Sequence, residues 1–539
     1  MAKHYVLALL CIMAQLIFSP AWAEATSTAT VTSTASQDAI QTFVKADFAT
    51  RRAMLNQWPA SIEQLDQLVA YIDDNELYTD SAGNTYLLND DKLFSYPAQQ
   101  ALEQWPADLS QVTLVNTLRK ALNFGQAKAK LSSNDASQRL AAVDILENNL
   151  AELDLATVKQ LYVNEKNDQV KARLAQLKAR LDFNSPDEFT KLEAVKILAD
   201  SNRPDVFALI TQTLEQPQQN PALKAALLDA QNKIKTRLQI SEWSGHVFSG
   251  LSTASILLLA ALGLAITYGL LGVINMAHGE LIMIGAYTTY VIQSFFKTHF
   301  AGLVDWYLIA AIPAAFLVSA LIGMLIERTV IRPLYGRQLE TLLATFGVSL
   351  ILMQLVRMVF GAQNVEVSNV SWLSGGIAVT PSLMLPYNRI AIIAFTVAVL
   401  LLLVFLLNKT RFGLFVRAVT QNRQMARAVG IRSARIDMMA FGLGSGLAGL
   451  AGCALAQVGN VGPDLGQNYI IDAFLVVVVG GVGQVWGAVL AALGLGISGT
   501  VLEIGLGAVL AKIILLVLVI LFIQKRPQGL FAIKGRFVE

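Results

Sequence analysis

Residues able to do chemistry are sparse in the C-terminal half of this 539-residue chain. Asn275, His278, Gly279 and Glu280 stand together inside an otherwise apolar stretch. An ionisable group in such surroundings is costly to desolvate, so Glu280 reads as a functional or helix-orienting contact. Arg357, Asp472, Glu503 and Lys512 fall near the ends of apolar runs, where side chains can reach an interface. Arg357 and Lys512 in particular read as interfacial anchors. With no charged cluster deep in the apolar region, the pattern suits a small neutral solute. It also lacks the midplane carboxylates expected of an ion-coupled carrier. The chain contains no Gly-x-x-x-x-Gly-Lys-Ser/Thr, so it has no phosphate cradle of that type. Two cysteines, Cys11 and Cys453, make neither a disulfide framework nor a metal site. No catalytic residue, metal or cofactor is expected, and no nucleic-acid partner.

The elements that position these residues follow from composition. Residues 24–245 hold 29 acidic and 22 basic residues, whereas 246–539 hold 10 and 18 and are dominated by long apolar runs. A soluble acidic domain followed by a membrane domain explains that split. Segments near 250–272, 278–297, 306–326, 342–360, 389–407, 436–458, 470–482, 485–502 and 506–524 read as membrane-crossing, with 470–482 short enough to be broken or re-entrant. Fourteen of the 18 basic residues fall in 328–337, 409–435 and 525–536, which places those stretches in the cytoplasm. Counting back three crossings from Arg328 puts residue 246 outside.

The N-terminus agrees with that orientation. Residues 1–23 read as a signal peptide, with an apolar stretch Tyr5–Phe18 and a small-x-small site at Ala21-Trp22-Ala23. Residues 24–36 read as a polar leader, and the rest of 24–245 as a periplasmic helical domain. Arg139–Leu146 echoes Lys191–Leu198, fifty-two residues later, and Val170–Leu174 echoes Leu223–Leu227. A recurring pair of amphipathic helices predicts a HEAT-like stack. The expected fold is all-α: this helical repeat domain, then a polytopic transmembrane bundle of about eight or nine segments at 246–539. The soluble residues offer no chemistry and suggest docking.

Glycines crowd 442–452 and 480–487 at spacings that let membrane helices approach closely. The block Tyr268–Glu280 with Met283–Tyr287, the pair Glu327-Arg328 with Arg332-Pro333-Leu334, the loop Phe412–Ile431, and Val477–Gly483 with Gly487-Ala488 occur in this order. Together they resemble the permeases of the branched-chain amino acid and urea class of ABC importers. Met276 and the long N-terminal extension make the chain most similar to the urea-type members. The resemblance implies an ATP-driven importer permease in the inner membrane, with urea as cargo or, alternatively, branched-chain amino acids or short amides. An ion-coupled transporter or channel is the competing class. Separate ATP-binding cassette ATPase subunits, a second homologous permease and a periplasmic substrate-binding protein are the implied partners. The resemblance makes the loop 408–433 the ATPase-coupling element, through Gly413, Leu414, Phe415, Arg417, Met425, Ala428 and Gly430. It assigns the translocation region to Asn275, His278, Gly279, Glu280, Gly480, Gly481 and Gly483.

Overall fold

The computed structural model describes residues 38–531 except 57, 59–61, 74, 82, 90–91, 98–99, 103–104, 107, 148–149, 151–152, 217–219 and 273. The expected signal peptide and leader lie outside the described residues. The chain divides into two compact units, residues 1–198 and 199–539.

The first unit opens with α1 (Asp38–Lys45), α2 (Phe48–Asn56) and α3 (Ile62–Asp73), and then departs from the all-α expectation. Strands β1 (Leu77–Thr79), β2 (Thr85–Asn89), β3 (Lys92–Ser95), β4 (Gln100–Ala101) and β5 (Ser110–Gln111) form an antiparallel sheet in the order β4-β3-β2-β1-β5. The β1–β2 turn holds Gly83 at φ +80°, and Asp80 accepts from the Asn84 N–H at 2.7 Å and from Tyr86 Oη at 2.8 Å. A glycine-containing connection of this length is a hairpin device. The strands are two to five residues long, too short to show a two-residue period against the helical pattern around them. Helix α4 (Asn116–Lys130) follows the sheet. Ile40, Phe43, Leu55, Leu68, Leu77 and Leu118 are buried in the core these elements share.

The two sequence echoes fall on helices, three in each stretch where a pair was expected. Helices α5 (Ala136–Glu147), α6 (Leu155–Asn164) and α7 (Asp168–Asp182) recur as α8 (Glu188–Leu198), α9 (Pro204–Leu214) and the start of α10 (Pro221–Leu271). Burial recurs with them. Val143, Leu146, Val158, Val170 and Leu174 are buried, as are Val195, Leu198, Ile210, Leu223 and Leu227 in the corresponding places. Helix α6 buries only Val158 among its described residues, which is why its pattern gave no echo.

In the second unit, α10 runs 51 residues, about 77 Å at 1.5 Å per residue. It passes position 246 without interruption. Asn220 accepts from the Ala222 N–H at its start, Pro221 occupies the first turn, and Gly272 closes it at φ +67°. After α10 come α11 (His278–His299), α12 (Tyr307–Ile326), α13 (Gln338–Phe360), the hairpin β6 (Gly376–Thr380) and β7 (Leu383–Pro386), and α14 (Tyr387–Lys409). Two short helices follow, α15 (Arg411–Gln421) and α16 (Arg423–Ala428). The chain then returns through α17 (Ser433–Ala456), α18 (Leu465–Gly480), α19 (Val485–Leu506) and α20 (Ala508–Lys525).

Among the described residues, seven helical segments are long and apolar enough to cross a membrane: those containing α10, α12, α13, α14, α17, α19 and α20. The two remaining expected spans also fall on helices. Helix α18 is apolar but has 16 residues, about 24 Å. Helix α11 carries Glu280, Thr288, Thr289, Gln293 and Lys297, which dilute its apolar character. It nevertheless sits centrally, packed against α12, α17 and α18. The outer helices are inside-out by soluble standards, with Leu343, Val359, Leu401 and Val509 all exposed.

Candidate functional site

The first cluster forms where α10 hands over to α11. His278 Nε2 lies 3.0 Å from the Ala260 carbonyl, which can only accept, so Nε2 carries the proton. Ala260 is twelve residues before Gly272, about 18 Å back along the α10 axis. His278 thus reaches back beside α10, well short of that helix's C-terminal end. Helix α11 therefore starts at depth within the bundle. Non-helical backbone is tolerated at such depth where protein covers it. Asn275 Oδ1 accepts from the Ala277 N–H at 3.1 Å to close the turn, and the Met276 N–H donates to Thr345 Oγ1 at 3.2 Å. Ser349 Oγ donates to Glu280 Oε1 at 2.9 Å.

Asn275, His278 and Glu280 are each no more than 1% exposed. Asn275 Nδ2, His278 Nδ1 and Glu280 Oε2, with Tyr287 Oη and Ser445 Oγ, have no hydrogen-bond partner among the described protein atoms. Gly279 meets Gly466 at the start of α18 so closely that a Cβ on either would overlap the other's backbone. The starts of α11 and α18 thus meet inside the bundle. Gly480, Gly481 and Gly483 lie at the opposite end of α18. There Gly480 abuts Gly487 backbone to backbone, and Gly481 turns the chain at φ +98° against the 526–531 segment. Gly483 touches the end of α10 at Gly269. The two halves of the expected translocation region are therefore separated by the length of α18.

The second cluster is the basic loop. Thr410 caps α15 and Asn422 caps α16, whose Met425 N–H donates to Asn422 Oδ1 at 2.9 Å. Gly413 abuts the Leu407 carbonyl too closely for a side chain, and Gly430 ends the pair at φ +88°. Leu414, Phe415, Met425 and Val429 are exposed, while Val419 and Ala426 are buried against Ile436 of α17. Arg417 donates to the Leu407 carbonyl at 2.8 Å. Ala428 forms the last residue of α16.

Sequence reasoning missed what holds this pair. Arg423 reaches Asp437 through two bonds, Nη1 to Oδ2 at 3.0 Å and Nη2 to Oδ1 at 3.1 Å, and its guanidinium lies 5.1 Å from the Tyr335 ring centroid. Tyr335 Oη donates to Glu327 Oε1 at 2.8 Å, and Arg332 Nη2 donates to Glu327 Oε2 at 2.8 Å and to the Ala434 carbonyl at 3.1 Å. Residues 327–331 form a π-helical turn, so a carboxylate at 327 and a guanidinium at 332 come to one face. Glu327 and Asp437 are both buried. Burial, with the nearby Asp437 and Glu327 carboxylates, pushes the Tyr335 hydroxyl upward, so it stays a donor. Asp437 had a visible signal: it is a lone carboxylate just after seven basic residues, at the mouth of an apolar run.

The expected anchors also take part in ion pairs. Arg357 is paired with Asp464 at 2.5 Å, and Lys512 with Asp472 at 3.5 Å, so each belongs to an inter-helix pair.

Seven helices long and apolar enough to cross a membrane, packed with α11 and α18, are the architecture of a polytopic membrane protein. The family model for the permease component of branched-chain amino acid transport systems matches residues 246–523, and the chain belongs to that family. It is similar to the high-affinity branched-chain amino acid transport system permease protein BraD of Pseudomonas aeruginosa, 30% identical over 298 residues, 54% of this chain and 96% of the relative. The corresponding LivH protein of Escherichia coli is 29% identical over 292 residues, 53% of this chain and 94% of its own. A probable branched-chain amino acid permease of Methanocaldococcus jannaschii is 28% identical, covering 51% and 89%. No solved structure matches the chain. As a member of this family the protein is a transport component and not an enzyme.

Proposed function

We propose that the chain is the membrane-spanning subunit of an ATP-driven importer for branched-chain amino acids. The carrying observation is the α15–α16 pair. Four apolar side chains there are exposed on or beside capped helices, while the Arg423–Asp437 ion pair fastens α16 to α17. That arrangement suits an element seated in a groove of a separate ATPase subunit, passing the closure of that subunit to α12 and α17. A second homologous permease would complete the path, and a periplasmic binding protein would deliver cargo. Residues 24–245 are read as periplasmic, an interaction module with a HEAT-like helical stack. The unpartnered polar atoms around α11 support its assignment to the translocation region.

Relatives named for branched-chain amino acids favour that cargo. Urea is the second reading, carried by Met276 and by the 245 residues that precede the family match. The test is uptake of labelled L-leucine and labelled urea at low concentration in a deletion strain carrying the gene. Leucine uptake restored by the gene and abolished in an ATPase-deficient background is expected. Restored urea uptake without leucine uptake would move the cargo to urea, and uptake that survives ATPase loss would refute the class.

A further inference from the structure

Away from both clusters, α18, α19 and α20 enclose a groove of about 350 Å³ against α10. That volume lies within the usual range of small-molecule pockets, about 300–1,000 Å³. Its apolar walls include Leu257 and Leu475, and its polar groups are Asn468, Asp472, Glu503 and Lys512. Lys512 Nζ lies 3.5 Å from Asp472 Oδ2, yet the lysine side chain remains 62% exposed and the aspartate 25%. Lys512 is the fifth residue of α20, near the end of its apolar run, and a charged group on a span normally faces water, a cavity or a partner.

We infer that this groove is a subsite for the charged end of a zwitterionic α-amino acid on its way through the protein, an inference that rests on the amino-acid reading above. Lys512 has three N–H donors and spends one on Asp472, leaving two for a carboxylate. Asp472 holds the ammonium in place as a positioning residue. Glu503 supplies an acceptor for the cargo's own ammonium, and the Asn468 amide a further donor for its carboxylate. Leu257 and Leu475 offer apolar surface to a branched side chain. A neutral diamide such as urea could hydrogen-bond to both groups but carries no charge to pair with either, so it would gain less than a zwitterion from an ammonium and a carboxylate set in one groove. The charges here therefore bear on which cargo is moved.

The test uses the full chain with its natural partners in a deletion strain, and labelled L-leucine and urea as probes. Lys512→Met and Glu503→Gln are expected to lower leucine uptake at subsaturating concentration about tenfold or more, as loss of a charge-assisted bond would. Membrane level and copurification of the other subunits should be unchanged. The double exchange Asp472→Lys/Lys512→Asp restores the ion pair with its charges reversed, and is expected not to restore uptake. Rescue by that exchange would reduce the pair to a structural staple and overturn the inference. So would wild-type leucine uptake in the single variants. Loss of a copurifying permease from Lys512→Met would assign the groove to a subunit interface instead. A wild-type chain that moves urea and not leucine fails at the amino-acid reading itself, before any variant is compared.

Discussion

Removing Arg423 should release the α15–α16 pair from the bundle without unfolding the spans. The Asp437 side chain is 1% exposed and that of Arg423 30%. Deleting one partner of a fully buried pair typically costs about 3–5 kcal/mol, because the other charge is left bare. The part-exposed guanidinium already shares its charge with solvent, so about 2 kcal/mol is the expected loss, or roughly thirtyfold in the docked-to-released equilibrium. Val419 and Ala426 stay packed on Ile436 and keep the helices near the bundle. In Arg423→Ala, amide exchange over 411–428 should accelerate by about that factor while 440–456 exchanges as before. Asp437→Asn added to Arg423→Ala removes the bare charge and should recover most of the protection, a coupling that a double-mutant cycle reads directly. Unchanged exchange over 411–428 in Arg423→Ala would refute the idea that this pair fastens the helices.

Three further outcomes follow from other contacts. Gly285→Leu drives a side chain into the Gly449 backbone of α17, and should lower the melting temperature of the detergent-solubilised protein, with a cost of about 1–3 kcal/mol or more. Leu414→Asp with Met425→Asp charges two exposed side chains, and should leave insertion and melting intact while ATPase copurification and uptake fall together. Hydrogen bonds from Arg139 hold the Glu165 carboxyl below its ordinary value of 4.5. A depressed carboxylate stabilises the folded state above its ordinary pKa and loses that contribution as pH falls below 4.5 through the folded value. Amide exchange over 136–182 should therefore accelerate in that acid window, and Glu165→Gln should flatten the dependence.

What could be read from sequence was what a single helix must do alone. A span must be apolar along its length, and an exposed apolar face must recur every three to four residues, so all nine expected spans coincide with helices. The loop 408–433 was singled out by its resemblance to a family, and its division into two helices capped by Thr410 and Asn422 was not expected. Contacts set by the return of the chain were not legible. Nothing local says that Asp437 will meet Arg423, or that His278 will reach back to Ala260 of α10. The same limit hid the sheet at 77–111, whose strands are shorter than the window that reveals a period. It also hid the pairing of the charges. Asp472 and Lys512 lie forty residues apart near the ends of separate apolar runs, and each taken alone fits an interfacial anchor. Only when α18 and α20 pack beside one another do they become a pair that borders one groove.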